Sequence, residues 1–160
     1  MITRVIDAKE DRDVMTGDVP NAFIQANMPK VKQGEDRVMM KIIGVLLDMF
    51  VQLAPEVYGP CVVFENRKKT LYLEVLRAIY RLLQAALLWY NKFREDLEAQ
   101  GSKFNHYDTC VVNRVVKSAQ HKFVFHVDDL KSSHKDPKVN DDFAKWLEQT
   151  YGKQGKVKIN

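Results

Sequence analysis

Alternation of apolar and polar residues, broken by turn signals, marks out the elements of this chain. Asp13 to Gly17 reads as a short strand, with Asp18 directly after it. Val19-Pro20-Asn21-Ala22-Phe23-Ile24 then begins a helical turn that runs through Ala26. Residues 1–12 read as a lead-in, and residues 28–37 as a polar loop. Arg37 to Ile42 predicts a strand, and Val45 to Leu53 a short helix stopped near Pro55. Strands at about 61–65 and 70–76 flank Glu65-Asn66-Arg67-Lys68-Lys69 and predict a hairpin. The clearest helix spans about 84–100. Leu83, Leu87, Tyr90, Phe93 and Leu97 recur along its apolar face, and Gly101 stops it. A strand at about 110–116 and a polar turn at 117–121 lead into a further strand. A last helix, about 137–151, would bury Phe143, Trp146, Leu147 and Tyr151 and end at Gly152. This order predicts an α+β fold: an antiparallel sheet with helices packed on one face.

Chemistry enters with Phe125-His126-Val127-Asp128-Asp129. The apolar run Phe123-Val124-Phe125 leads into two adjacent carboxylates, and Leu130-Lys131-Ser132-Ser133 leads out. That pattern reads as a β-hairpin with the acids at its tip. Adjacent acids repel, so a strand end carries them where something positive sits against them. Asp oxygens suit Mg²⁺, with Mn²⁺ as a substitute. Asp18, at another strand end, supplies a third acid. The doublet Asp141-Asp142 lies on the last helix and reads as solvated surface.

Bulk properties narrow the field. A chain of 160 residues with 46% hydrophobic content can bury one modest core, so one domain is expected. The longest apolar stretch, Ile42 to Leu47, is too short to span a bilayer. Met1-Ile2-Thr3-Arg4 lacks the apolar core of a signal peptide. An intracellular protein is expected, cytoplasmic or nuclear. The net charge of +4 is compatible with nucleic acid without demanding it. Lys153, Lys156, Lys158 and Arg67-Lys68-Lys69 are its local basic spots. Cys61 and Cys110 both sit beside valines and read as buried free thiols. His106, Cys110, His121 and His126 match no usual zinc spacing.

Three blocks together resemble the reverse transcriptase of copia-type long-terminal-repeat retrotransposons. Asp18-Val19-Pro20-Asn21-Ala22-Phe23-Ile24 is similar to that family's Asp-Val-x-x-Ala-Phe-Leu block. Leu76 to Tyr90, with Tyr80, Leu82, Gln84-Ala85 and Trp89-Tyr90, resembles its Leu-Tyr-Gly-Leu-Lys-Gln-Ala-Pro-x-x-Trp-Tyr block. His126-Val127-Asp128-Asp129 resembles its Tyr-Val-Asp-Asp block. Order and spacing agree over about residues 5–155. Departures are His126 for Tyr, Arg81 for Gly, and Leu83, Ala86 and Leu87 for Lys, Pro and a commonly basic residue.

The resemblance implies a polymerase palm with part of the fingers, performing two-metal nucleotidyl transfer with Mg²⁺. It implies that Asp18 and Asp128 bridge the metals, that the Val19 carbonyl adds a ligand, and that Asp129 supports them. Phe23 would be the steric gate selecting deoxynucleotides, with Gln84 and Val127 also at the nucleotide. Implied partners are an RNA or DNA template with its primer, dNTPs, and the upstream fingers, thumb and ribonuclease H segments of a polyprotein. Two other readings stand beside it. One is a non-catalytic remnant that binds nucleic acid weakly or serves as an interaction module. The other is a palm-fold nucleotidyl cyclase, which leaves the Gln84–Tyr90 block unexplained.

Overall fold

The computed structural model describes residues 2–32, 34 and 36–160. Gln33 and Glu35 of the expected loop therefore lie outside the described residues. The chain forms two compact units, Met1–Asn27 with Arg77–Asn160, and Met28–Leu76. Where the length alone suggests one core, residues 28–76 close a small core of their own.

That smaller unit is a three-stranded antiparallel sheet, order β2-β4-β3, with two helices. Its elements are β2 (Met39–Ile43), α2 (Val45–Leu53), α3 (Pro55–Tyr58), β3 (Val62–Glu65) and β4 (Lys68–Glu74). Ile42, Leu47 and Leu71 bury together at its centre. The hairpin turn is tighter than the five residues expected. Asn66 and Arg67 both take positive φ, 51° and 60°, as a two-residue turn of right-twisted strands requires. Cys61 is a free thiol as expected but exposed rather than buried, because it ends a short turn ahead of the edge strand β3.

The larger unit contains α1 (Ile2–Lys9), β1 (Asp13–Asp18), a 3₁₀ turn (Ala22–Gln25), α4 (Ala85–Ala99), β5 (Lys103–Phe104), β6 (Val111–Val116), β7 (Ala119–His126), β8 (Asp129–His134), α5 (Pro137–Tyr151) and β9 (Lys158–Ile159). Its six strands form an antiparallel sheet in the order β5-β6-β7-β8-β1-β9. The architecture is thus α+β with antiparallel sheets. Among the described residues, no helix is long and apolar enough to cross a membrane.

Period-2 alternation sends Met15, Phe123, Phe125 and Leu130 into one core with α4 and α5. Phe93 meets Phe125 edge-on at 5.0 Å between ring centroids, and Phe123 lies 4.4 Å from Phe143. On α4 the buried row is Ala85, Trp89, Phe93 and Leu97. Leu83 and Leu87, expected to be inward, are exposed. Leu83 precedes the helix, and the i,i+4 row through Trp89 buries more apolar surface than the row through Leu87. On α5, Phe143, Leu147 and Tyr151 are buried as expected, whereas Trp146 is half-buried and stacks on Phe143. Cys110 is half-buried rather than buried.

The expected lead-in is instead the helix α1, anchored by one acid. Asp7 is 3% exposed and pairs with Lys122 on β7, at 2.9 Å, and with Lys131 on β8. Burial works to raise its pKa, but hydrogen bonds from the two ammonium groups prevail and hold it down at about 2. Within the core a chain of hydrogen bonds crosses the sheet. Arg114 Nε donates to His121 Nδ1, so Nε2–H donates to Ser132 Oγ at 2.7 Å. Ser132 donates to Asn140 Oδ1 at 2.7 Å, and Asn140 Nδ2 donates to the Asp13 carboxylate at 2.6 Å. Burial first, and the Arg114 charge second, push His121 down to about 3.

Both shifts depress the folded-state pKa, so both contributions are lost as pH falls. Below the ordinary His value of 6.5 the unfolded chain takes up a proton that folded His121 refuses down to about 3. Asp7 adds its own loss between 3.8 and about 2. Urea midpoints should therefore decline from pH 6.5 downward, and His121→Gln should flatten the decline above pH 4. Asp7→Asn at pH 7 should cost about 3 kcal/mol, because one buried and one half-buried ammonium group lose their partner. An unchanged midpoint in Asp7→Asn would show that α1 is not held by this pair.

Candidate active site

Strand β1 lies between β8 and β9, and its last residue defines the site. Asp18 is in register with Asp129 on β8 and with Lys158 on β9, while Asp129 is in register with His126 on β7. Facing residues on adjacent strands project to the same side. His126, Asp129, Asp18 and Lys158 therefore form one row across four strands. Their neighbours Phe125, Leu130 and Gly17 project to the opposite side, which Phe125 and Leu130 fill with core. Two carboxylates directly opposite each other repel. The Lys158 ammonium, 3.5 Å from Asp18 Oδ2, offsets part of that repulsion. It is 78% exposed, so water and salt screen it strongly.

Asp128 sits one residue outside this row, in the two-residue turn Val127-Asp128. Val127 has φ 56°, a conformation that branching at Cβ makes costly. Two bonds hold the turn in place. The Trp89 indole N–H donates to the Val127 carbonyl at 2.6 Å, and the Val19 backbone N–H donates to the Asp128 carbonyl at 3.0 Å. The Val127 side chain also packs against the core. The Asp-Val step after β1 is thereby tied to the acid pair, about 110 positions further along the chain.

The 3₁₀ turn that follows presents Phe23. Gln25 fixes this turn by donating to the Tyr151 carbonyl at 3.0 Å, and Asn21 donates to the Gln154 carbonyl at 3.0 Å. Phe23 lines a cleft of about 560 Å³ with Tyr80, His126, Val127 and Asp128. Asp18 and Asp129 line a separate groove of about 350 Å³, with Arg4 and Lys131 at its edge. His126 borders both.

Of the residues expected from sequence, Phe23, Val127 and Asp128 line the cleft, Asp18 and Asp129 line the separate groove, and Val19 links the two through its bond to the Asp128 carbonyl. Gln84 does not line the cleft; it precedes α4, and its carbonyl accepts from Leu88 N–H. Tyr80 from the same segment reaches the cleft instead. Lys158 was legible as a basic spot, but only the β1–β9 register reveals that it faces Asp18. His121 is committed to Ser132 and Arg114, away from His126. Among the described residues, no three His, Cys, Asp or Glu side chains are arranged as a metal cage.

A divalent ion nonetheless fits the donor chemistry of the three acids. They are hard oxygen donors, Asp18 faces Asp129 across the ladder, and the Lys158 ammonium beside Asp18 is exposed. Compared with known proteins, the chain matches no family model, no curated protein and no solved structure.

The Trp89 bond can be tested directly. Trp89→Phe keeps an aromatic ring but removes the donor, leaving the Val127 carbonyl without it. Stability should fall by about 2 kcal/mol in urea unfolding. Amide exchange at His126 and Asp129, which close the turn, should accelerate. Unchanged exchange there would mean that the turn holds without the indole.

Proposed function

We propose that residues 1–27 and 77–160 are the palm of a copia-type reverse transcriptase, an RNA-directed DNA polymerase, with residues 28–76 as part of its fingers. One observation carries this reading. The sequence spreads Asp18 and the Asp128-Asp129 pair far apart, and the fold returns them to adjacent positions beside a cleft lined by Phe23.

In this reading Asp18, Asp128 and Asp129 would hold Mg²⁺, with the Val19 carbonyl as a further donor. Bound there, the ions would activate the primer 3′-oxygen and stabilise the pyrophosphate leaving group. The protein's part is placement. The β1–β8 ladder fixes Asp18 against Asp129, while Trp89 and Val19 fix the turn carrying Asp128. Phe23 would lie beneath the sugar of the incoming nucleotide and oppose a 2′-hydroxyl. Template and primer would lie along the open side of the sheet, held mainly through phosphates, so binding would fall steeply with salt.

A second reading, a non-catalytic remnant, draws on two features. Lys158 already engages Asp18, and Leu83, Ala86 and Leu87 supply no cation where the family pattern has Lys and a commonly basic residue.

Calorimetric titration with Mn²⁺ separates the readings. The wild type should bind, Asp18→Asn and Asp128→Asn should each weaken binding at least several-fold, and Lys158→Met should tighten it. Equal affinity in all four proteins would sink the metal-site reading. Primer extension on an RNA template with dNTPs completes the test. Incorporation should be low, for want of those cations, and should vanish in Asp128→Asn. Metal binding with no incorporation at all would favour the remnant.

A further inference from the structure

We propose that Tyr80 is a nucleoside-binding residue of the cleft, its ring joining that of Phe23 as a platform for the base and sugar of a nucleoside triphosphate. The inference rests on the polymerase reading of the same cleft, and adds a residue to which that reading gave no task. The Tyr80 and Phe23 ring centroids are 6.2 Å apart with planes inclined by 30°. The two rings are therefore neighbours in the wall of one cleft. Phe23 is half-buried, whereas Tyr80 is 76% exposed. An isolated exposed aromatic needs no explanation; the backbone around this one does.

Everything near the ring is tied down while the ring itself stays uncovered. Ala78, two residues earlier, is fully buried, and its N–H donates to the Ala26 carbonyl at 2.9 Å. Arg77 forms a β-bridge with Asn27, and its guanidinium donates to the Ile24 carbonyl at 3.2 Å. After the ring, Arg81 turns the chain at φ 71°, and Leu82 N–H donates to the Ile79 carbonyl at 3.1 Å. The Ala26 and Ile24 anchors adjoin the same 3₁₀ turn that presents Phe23. Both rings are thus positioned from one short segment. Backbone support beneath an open aromatic face favours base stacking, because only the side chain is left to order at binding. Asp128 lines the same cleft. The phosphates and their ion would lie toward Asp128, and the nucleoside toward the two rings.

Two probes separate this proposal from the reading beneath it: dTTP, and inorganic tripolyphosphate, which lacks a nucleoside. Each is titrated with Mg²⁺ against the wild type, Tyr80→Ala, Tyr80→Phe and Asp128→Asn, using saturation-transfer and chemical-shift NMR. Tyr80→Ala should weaken dTTP about tenfold through lost stacking and leave tripolyphosphate unchanged. Tyr80→Phe should bind dTTP within about twofold of wild type, because the ring face is kept. Asp128→Asn should weaken both probes. If dTTP binding depends on Asp128 but not on Tyr80, the proposal falls and the polymerase reading stands. If Tyr80→Ala weakens both probes equally, Tyr80 acts through the fold, and the proposal is overturned. If the wild type binds neither probe, both fail together.

Discussion

Insertion of β1 between β8 and β9 is the constraint on which the site depends. No local interaction can bring Asp18 to Asp128 and Asp129; only a ladder closed across most of the chain does so. Such pairing has a large loop-closure cost, so it must be held by contacts that reward this register alone. On the packed side, Met15 enters the same core as Phe123, Phe125 and Leu130. Gly17 makes the fit possible, because a Cβ there would stand 3.2 Å from methyl groups of both Leu130 and Ile159. A slip of one residue would send Met15 to the open side and bring Asp18 into the core. The core therefore fixes the register, and the register fixes the row of Asp129, Asp18 and Lys158.

Two treatments of negative charge sit on that same open side. Asp7 is buried, and two lysines compensate it. That arrangement withstands desolvation and pins α1 to β7 and β8. Asp129 on β8 and Asp18 on the neighbouring β1 face each other with one exposed lysine nearby. Folding alone gains nothing from that pairing, since like charges across a ladder oppose it. One acid is thus compensated within the fold, while the other two face each other with a single exposed lysine beside them.

The sequence was most legible where hydrophobic periodicity is long. β1, α2 and α5 fall at or within a residue of their expected bounds, and the acid hairpin forms where the apolar run meets the Asp pair. It was least legible where tertiary contacts outvote local signals. α1 is short and earns its place through Asp7, whose partners lie on β7 and β8. On α4 the expected Phe93 and Leu97 are buried, but Trp89 rather than Leu87 completes the inward row, a choice that the packing against the sheet decides. Lys117 and Ser118 take φ 49° and 61° in a tight hairpin although neither is a customary left-handed residue. The acids and Phe23 were visible as residue types in order. The facing of Lys158 to Asp18, and of Tyr80 to Phe23, depends on register and loop anchoring that no spacing records.

The turn at Val127 brings these threads together. A hairpin chosen for stability alone would place Gly or Asn at a positive φ, yet a β-branched residue stands there. Its strain is sustained from three directions: the Trp89 indole on its carbonyl, the core against its side chain, and the Val19 N–H on the next carbonyl. Glycine would remove the strain together with the side-chain anchor, and Asp128 would then ride on a freer loop. Strain held by surrounding structure belongs where geometry matters more than local energy. Here it fixes the one acid of the three that lies outside the β-ladder. Trp89, which reads from sequence as one more core aromatic, is thus also the link by which the packing of α4 reaches the acid pair.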